Sequence, residues 1–349
     1  MTGTQMADTN GNARAVAPSR ITTRGGLKGL LDKLLATSAG NIIVAFVLIQ
    51  LACILAGLIW PDDFRYLSPS NISIMLKAIP TLGIIALGVG FLMIAGEFDL
   101  SVGSIYAFTA VVCSMLIAAG LSAWLAAPLM IAVGAAISMS NGLIAMRFLL
   151  PSFIVSLGAM LFWKGMIFFV HGAQAIRFSG SPSFKDAFAG SIGPIQMPFV
   201  WFFVLTVLFH FTLRHHRFGN HVFAVGGNAP AATANGVKPT QVKLICFALA
   251  GACAALSGII SAARVGSVTP AQGGGLELQA IAAAVIGGVA LTGGRGSMIG
   301  VFLGSALIYT IQDVLLLMRA PGFYLDIFVG ALIVFAAIAN QLVGRGAGK

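Results

Sequence analysis

The sequence predicts an all-α integral membrane protein of about ten transmembrane helices, with both termini on the cytoplasmic side. Three observations predict it. Hydrophobic residues fill 58% of the 349 positions and charged residues only 9%, against about a quarter charged in a soluble domain. The sparse charges leave long uncharged runs, and backbone in lipid must pair within its own helix or in a closed barrel. Most basic residues fall on one side of the alternating spans. Together these features exclude a disordered chain and a water-soluble core, and they make the lipid bilayer a partner.

Residues 1–39 are polar and carry Arg14, Arg20, Arg24, Lys28 and Lys33. They read as a mobile basic cytoplasmic tail, with a polar region too long for a cleaved signal. The transmembrane domain is expected over 40–344, including a cytoplasmic loop at 214–243. A short cytoplasmic tail follows at 345–349. No residue between Lys33 and Asp62 is charged, which exceeds the roughly 20 residues a span requires. Trp60 suits the membrane interface. The second span is expected at 72–95, with Pro80 inside it. From Asp99 to Arg147 no charge occurs, room for two spans that turn near Gly120 to Trp124. Pro151 opens a fifth span at 152–170, which carries Lys164. A polar segment with Arg177, Lys185 and Asp186 separates it from a sixth at 195–213. Four more are expected at 243–263, 277–291, 297–318 and 322–342. Gly296, Gly300 and Gly304 recur every four residues, a face for close helix packing.

With the N-terminus inside, 13 of the 20 basic residues lie in cytoplasmic segments. They include Arg147, Arg214, Arg217, Lys238, Lys243 and Arg295. The same topology gives the second to fifth and the seventh to tenth spans opposite orientations, as in an inverted repeat.

The net charge of +10 invites a nucleic-acid reading. No basic–aromatic stripe accompanies the charge, so nucleic acid is not expected as a partner. The four cysteines, Cys53, Cys113, Cys246 and Cys253, all lie in apolar runs and read as small apolar residues. No HExxH occurs, and no His/Cys cluster reads as a metal site. Four of the five histidines gather near the end of the sixth span, where a solvated basic loop is expected. The tail from Gly344 to Lys349 lacks the Ser/Thr and the helix of a phosphate loop. No catalytic residue, cofactor or metal is expected, so any ATP site lies on another chain.

The stretch Phe223 to Val237 (FAVGGNAPAATANGV) interrupts the apolar sequence and specifies a short helix. Asn228 is a good N-cap, and Pro230 falls in the first turn, where a missing N–H is tolerated. Asn235 or Gly236 can take the left-handed C-terminal conformation, and Pro239 forbids continuation. Two readings stand: an ordinary loop helix, or a smooth knob made for a partner's groove.

Acids in lipid are costly and point to function. Glu97, Asp99, Glu277, Asp313 and Asp326 qualify. Asp99, with Ser101 beside it, also suits a capping role, and Glu277 suits a helix N-terminus. Asp326 also fits a place near an interface. Asp313 is deep enough for a polar contact inside the bundle. It is also the residue an ion-coupled secondary carrier would need.

Four stretches carry a family resemblance. They are Phe98-Asp99-Leu100-Ser101-Val102-Gly103-Ser104, then Pro151 to Gly158 (PSFIVSLG) with Lys164-Gly165, then Gly226 to Val237. The fourth is Leu276-Glu277-Leu278-Gln279, continuing through Gly287-Gly288 to Gly293-Gly294-Arg295-Gly296. In order and spacing over 70–344 the chain resembles permease subunits of bacterial ABC sugar importers, the ribose-type monosaccharide family. The resemblance implies a type II importer fold in the inner membrane. It implies as partners one or two ATPase subunits, an extracytoplasmic sugar-binding protein and a second permease copy or close paralogue. It makes the knob the coupling helix, with Gly227, Asn228, Ala231, Ala232 and Gly236 on matching positions. A charged replacement at Ala232 is then expected to uncouple hydrolysis from transport. The implied translocation path takes in Glu97, Asp99, Ser101, Glu277, Gln279 and Asp313. The chain departs from the pattern at Glu97, commonly small or apolar, and at Gln279, where an acid often follows the Glu-Leu pair. Related importers for branched-chain amino acids, nucleosides or autoinducer-type sugars are the alternatives.

Overall fold

A computed structural model describes residues 38–324, 327–331, 334–335 and 338. Part of the span expected at 322–342 lies outside these residues, as do Asp326, the tail before Ser38 and residues 339–349. Among the described residues, seven helices are long and apolar enough to cross a membrane. They are α1 (Ser38–Ile59), α2 (Pro69–Ile94), α4 (Ala123–Arg147), α5 (Ser152–His171), α7 (Met197–His215), α10 (Pro239–Val265) and α12 (Met298–Leu317). Two shorter apolar helices are α3 (Val102–Ala118) and α11 (Leu276–Ile286).

Local chemistry sets many of the boundaries. Ser68 caps α2 by accepting the Asn71 N–H at 3.2 Å, and Pro69 follows at the first helical position. Pro239 does the same for α10, because its missing N–H is spare there. Gly120, at φ 101°, turns the chain between α3 and α4, where the uncharged run was expected to fold back.

Helices α2 and α10 form the centre. From Ile84 to Ala95 every side chain of α2 is buried, as is most of α10. They cross at Gly88, where an added Cβ would lie 2.9 Å from both Ala250 Cα and Cys253 Cβ. Helix α4 packs on α10 through Gly134 and Gly251. A Cβ on Gly251 would lie 2.1 Å from the Gly134 carbonyl oxygen. Lipid offers no hydrophobic drive between helices, so close backbone approach and dispersion hold such pairs. Gly300 and Gly304 face α11 in this way, whereas Gly296 precedes α12 and lies against Ile94 and Val289.

The structure differs from expectation in three places. The helix expected at 277–291 ends at Ile286, because Gly287 and the left-handed Gly288 turn the chain. The polar segment after α5 is folded: it holds helix α6 (Pro182–Ala189) and three two-residue strands. Strand β1 (Ile176–Arg177) pairs antiparallel with β4 (Ser267–Val268), and β2 (Ser191–Ile192) with β3 (Ile195–Gln196). An aromatic cluster fixes this cap. Phe184 and Phe188 stack at 4.5 Å, and Phe188 stacks on Trp201 at 5.1 Å. Finally, an additional helix, α8 (Arg217–Gly227), precedes the expected short helix α9 (Ala229–Ala234).

Candidate docking helix and polar sites of the bundle

Helix α9 has both ends fixed. Asn228 is extended and its side-chain oxygen accepts the Ala231 N–H at 3.0 Å. At the other end Gly236 is left-handed, with φ 80°. The Val237 N–H reaches the Ala232 carbonyl at 3.1 Å and the Gly236 N–H reaches Thr233 at 2.9 Å, the pair of bonds of a Schellman motif. Asn235 Nδ2 adds a bond to the Ala231 carbonyl at 2.9 Å. The helix is thereby held as a rigid unit although it has only six residues.

Gly227, Asn228, Ala231 and Gly236 are exposed, while Ala232 is buried toward the bundle. A charged residue at Ala232 would therefore disturb packing, so the surface charge test moves to Ala231. Helix α8 had a readable cap in His216, whose Nδ1 accepts the Phe218 N–H at 3.1 Å. Its apolar residues, Val222 and Val225, are buried.

The acids fall in different places. Glu97 follows α2 and pairs with Lys243 of α10 at 2.5 Å. Asp99 is fully buried. One of its oxygens accepts the Ser101 N–H at 2.8 Å and the Ser101 hydroxyl at 2.6 Å, and the other accepts the Ser138 hydroxyl. Asn141 donates to Ser101 Oγ at 2.9 Å. This network joins the start of α3 to α4. Ser138 and Asn141 were legible as a polar pair three apart on one helix face, but were not singled out.

Glu277 lies against the start of α3. A Cβ on Gly103 would sit 2.3 Å from Glu277 Oε2 and 2.5 Å from the Gly273 carbonyl oxygen. The lead-in to α11 and the first turn of α3 thus touch without intervening side chains. Gln279 accepts a hydrogen bond from Gln312 of α12 at 3.2 Å. Asp313, the next residue, is buried and accepts from Asn71 at 2.8 Å. Nearby, Tyr66 donates to Gln50 at 2.6 Å and Gln50 donates to Thr310 at 3.0 Å. The structure therefore places Asp99 with Ser101, Glu277 with the start of α3, and Gln279 with Gln312. Glu97 stands apart, near α8.

Arg264 and Gln272, close in sequence to α11, were not singled out either. Arg264 Nε and Gln272 Nε2 are buried donors without a hydrogen-bond partner. Among the described residues no three His, Cys, Asp or Glu gather as a metal site. The four cysteines are buried free thiols.

Residues 71–337 match the model of the family described as branched-chain amino acid transport system / permease component. The chain is 35% identical over 327 residues to the L-arabinose ABC transporter permease protein of Azospirillum brasilense, covering 94% of this chain and 92% of that one. It is 31% identical over 314 residues to the ribose import permease protein of Bacillus subtilis, covering 90% and 94%. It is 30% identical over 301 residues to the D-allose transport system permease protein of Escherichia coli, covering 86% and 91%. No solved structure matches the chain. With its apolar helices and this match across most of its length, the chain belongs to the family of ABC importer permease components.

Proposed function

We propose that this permease carries a monosaccharide, a ribose-like pentose or a hexose, inward across the bacterial inner membrane by alternating access. The observation that carries the reading is the similarity, over nearly the whole chain, to permeases named for arabinose, ribose and allose. ATP hydrolysis belongs to separate ATPase subunits, and an extracytoplasmic binding protein delivers the sugar. Helix α9 is the docking helix for the ATPase, presenting exposed Asn228, Ala231 and Gly236. The unpartnered donors of Arg264 and Gln272, with Glu277, Gln279 and Gln312, suit a hydroxyl-rich solute, since each can exchange a bond with a sugar hydroxyl. Asp99 and Ser101 hold α3 against α4 beside this path.

The reading includes ten spans with both ends cytoplasmic, supported by the distribution of basic residues. It also includes an inverted repeat. Helices α2 and α10 are both long and central, and each is followed by a left-handed glycine, Gly96 and Gly266, and then a shorter helix.

A second copy covers α5. Gly158 and Gly165 of this helix face open space, and Leu161, Phe162 and Lys164 are exposed. A lysine facing lipid in midspan costs about 2.5–3.5 kcal/mol, a cost that a water-lined seam between two copies removes. A Leu161→Cys variant is expected to give a disulfide-linked dimer in native membranes on mild oxidation. The native thiols, buried in each copy, give none. A monomer after oxidation argues against this face.

The substrate test uses vesicles holding permease, ATPase and binding protein. Uptake of labelled arabinose, ribose or allose is expected. Uptake confined to a branched-chain amino acid, a nucleoside or an autoinducer-type sugar would overturn the monosaccharide reading.

A further inference from the structure

Three segments distant in sequence meet backbone to backbone at the base of the docking helix. The first is the end of α2 and its exit, Ile94 to Gly96. The second is the end of α8, Gly226 and Gly227, immediately before α9. The third is the turn between α11 and α12, Gly293 and Gly294. The Gly294 N–H donates to the Ile94 carbonyl at 2.9 Å. A Cβ on Gly226 would lie 1.8 Å from that same carbonyl oxygen and 2.7 Å from Gly294 N. A Cβ on Gly294, already left-handed at φ 73°, would lie 2.7 Å from Gly227 Cα. One on Gly293 would lie 2.9 Å from both the Gly226 oxygen and Gly96 Cα. Only glycine fits these approaches. Beside the junction, the Glu97–Lys243 ion pair, 2.5 Å long and largely buried, ties the exit of α2 to the first turns of α10.

The junction has no side chain between its backbones, so it holds little slack. Close-packed interiors transmit displacement instead of absorbing it. What it touches also matters. The exit of α2 leads directly into α3, and the Gly293–Gly294 turn follows directly from α11. The start of α3 and the lead-in to α11 meet again at Gly103 and Gly273. A shift of α9 and the end of α8 therefore acts on both short helices at once.

We propose that Gly226, Gly293, Gly294 and the Glu97–Lys243 pair are positioning residues for transport. They carry displacement of the docking helix into α3 and α11, so that the two short helices move together when the ATPase moves. This inference rests on the docking reading of α9. It gives Glu97, a departure from the family pattern, a role in transmission and not in sugar contact.

The test measures sugar moved per ATP hydrolysed in vesicles containing the full permease–ATPase complex and its binding protein. The ratio does not depend on how much of a variant folds. Gly226→Ala is expected to keep the ATPase bound and hydrolysing, while sugar per ATP falls by roughly 5- to 150-fold. Glu97→Lys and Lys243→Glu, which leave the glycines untouched, are each expected to lower the ratio. The double charge swap is expected to restore it. An unchanged ratio in Gly226→Ala and in both charge variants overturns the proposal, as does a loss that the double swap fails to recover. Ala231→Glu, on the exposed face of α9, separates the two levels. If it alone loses transport, docking stands and the junction falls. If it keeps transport and ATPase binding, the docking reading itself falls.

Discussion

Ala231→Glu is expected to abolish ATP-driven uptake while leaving the permease folded and in the membrane. Ala231 is exposed, third in α9, with Asn228 as the cap. A glutamate three residues after the N-cap is favourable, because its charge sits at the positive end of the helix dipole. The helix itself is therefore not weakened. On the proposed docking, the loss arises in the complex, where the carboxylate would enter the ATPase groove without a partner. Desolvating an unpaired charge in an interface costs about 2–5 kcal/mol. Each 1.4 kcal/mol is about a factor of ten in an equilibrium constant, so ATPase association falls by roughly 30- to several thousand-fold. Co-purification of the ATPase with the variant measures this. Ala232→Glu behaves differently, because Ala232 is buried: the fold itself is destabilised and the yield of inserted protein drops. Retention of the ATPase by Ala231→Glu at the native level would remove the docking role.

Gly103→Ala is expected to have the second large effect. The added methyl would lie 2.3 Å from Glu277 Oε2 and 2.5 Å from the Gly273 carbonyl oxygen. The glutamate side chain can swing away. The backbone oxygen cannot, so α3 and the lead-in to α11 must separate. Overpacking of this kind costs typically about 1–3 kcal/mol, enough to lower thermal stability measurably. Transport is expected to suffer more, because the start of α3 and the lead-in to α11 meet here, beside the proposed path. Uptake is expected to fall at least about tenfold, and the double variant Gly103→Ala/Glu277→Ala is not rescued, since the Gly273 contact remains. Rescue by Glu277→Ala would show that the side chain alone made the contact.

Much of this architecture was legible in the chain. Charge-free runs gave α1 and the α3–α4 pair, and Gly120 marked their turn. Pro69 and Pro239 open helices as an N-terminal proline should. The bounds of α9 were legible, because Asn228, Pro230 and Gly236 each act within a few residues of where they stand. What was hidden depends on partners far along the chain. Glu97 reads as an acid in lipid until Lys243, 146 residues later, neutralises it. The roles of Gly226 and Gly294 come from contact with Ile94, which no local pattern announces. The inward turn of Ala232 follows from how α9 lies on the bundle. Likewise, the polar segment after α5 is held by the stacking of Phe184, Phe188 and Trp201, a contact between residues up to 17 apart that no local pattern shows. Single-helix periodicity is weak in the long apolar helices, as expected where lipid and protein faces are both apolar.

The central claim is that ATPase subunits drive this permease. The most direct measurement is labelled monosaccharide uptake into vesicles holding the full complex, with ATP supplied and the proton and sodium gradients collapsed by ionophores. The account predicts undiminished uptake under those conditions and none when ATP is replaced by a non-hydrolysable analogue. Uptake that persists without ATP hydrolysis and stops when the gradients collapse would contradict it. Asp313, buried against Asn71, would then be the residue to neutralise.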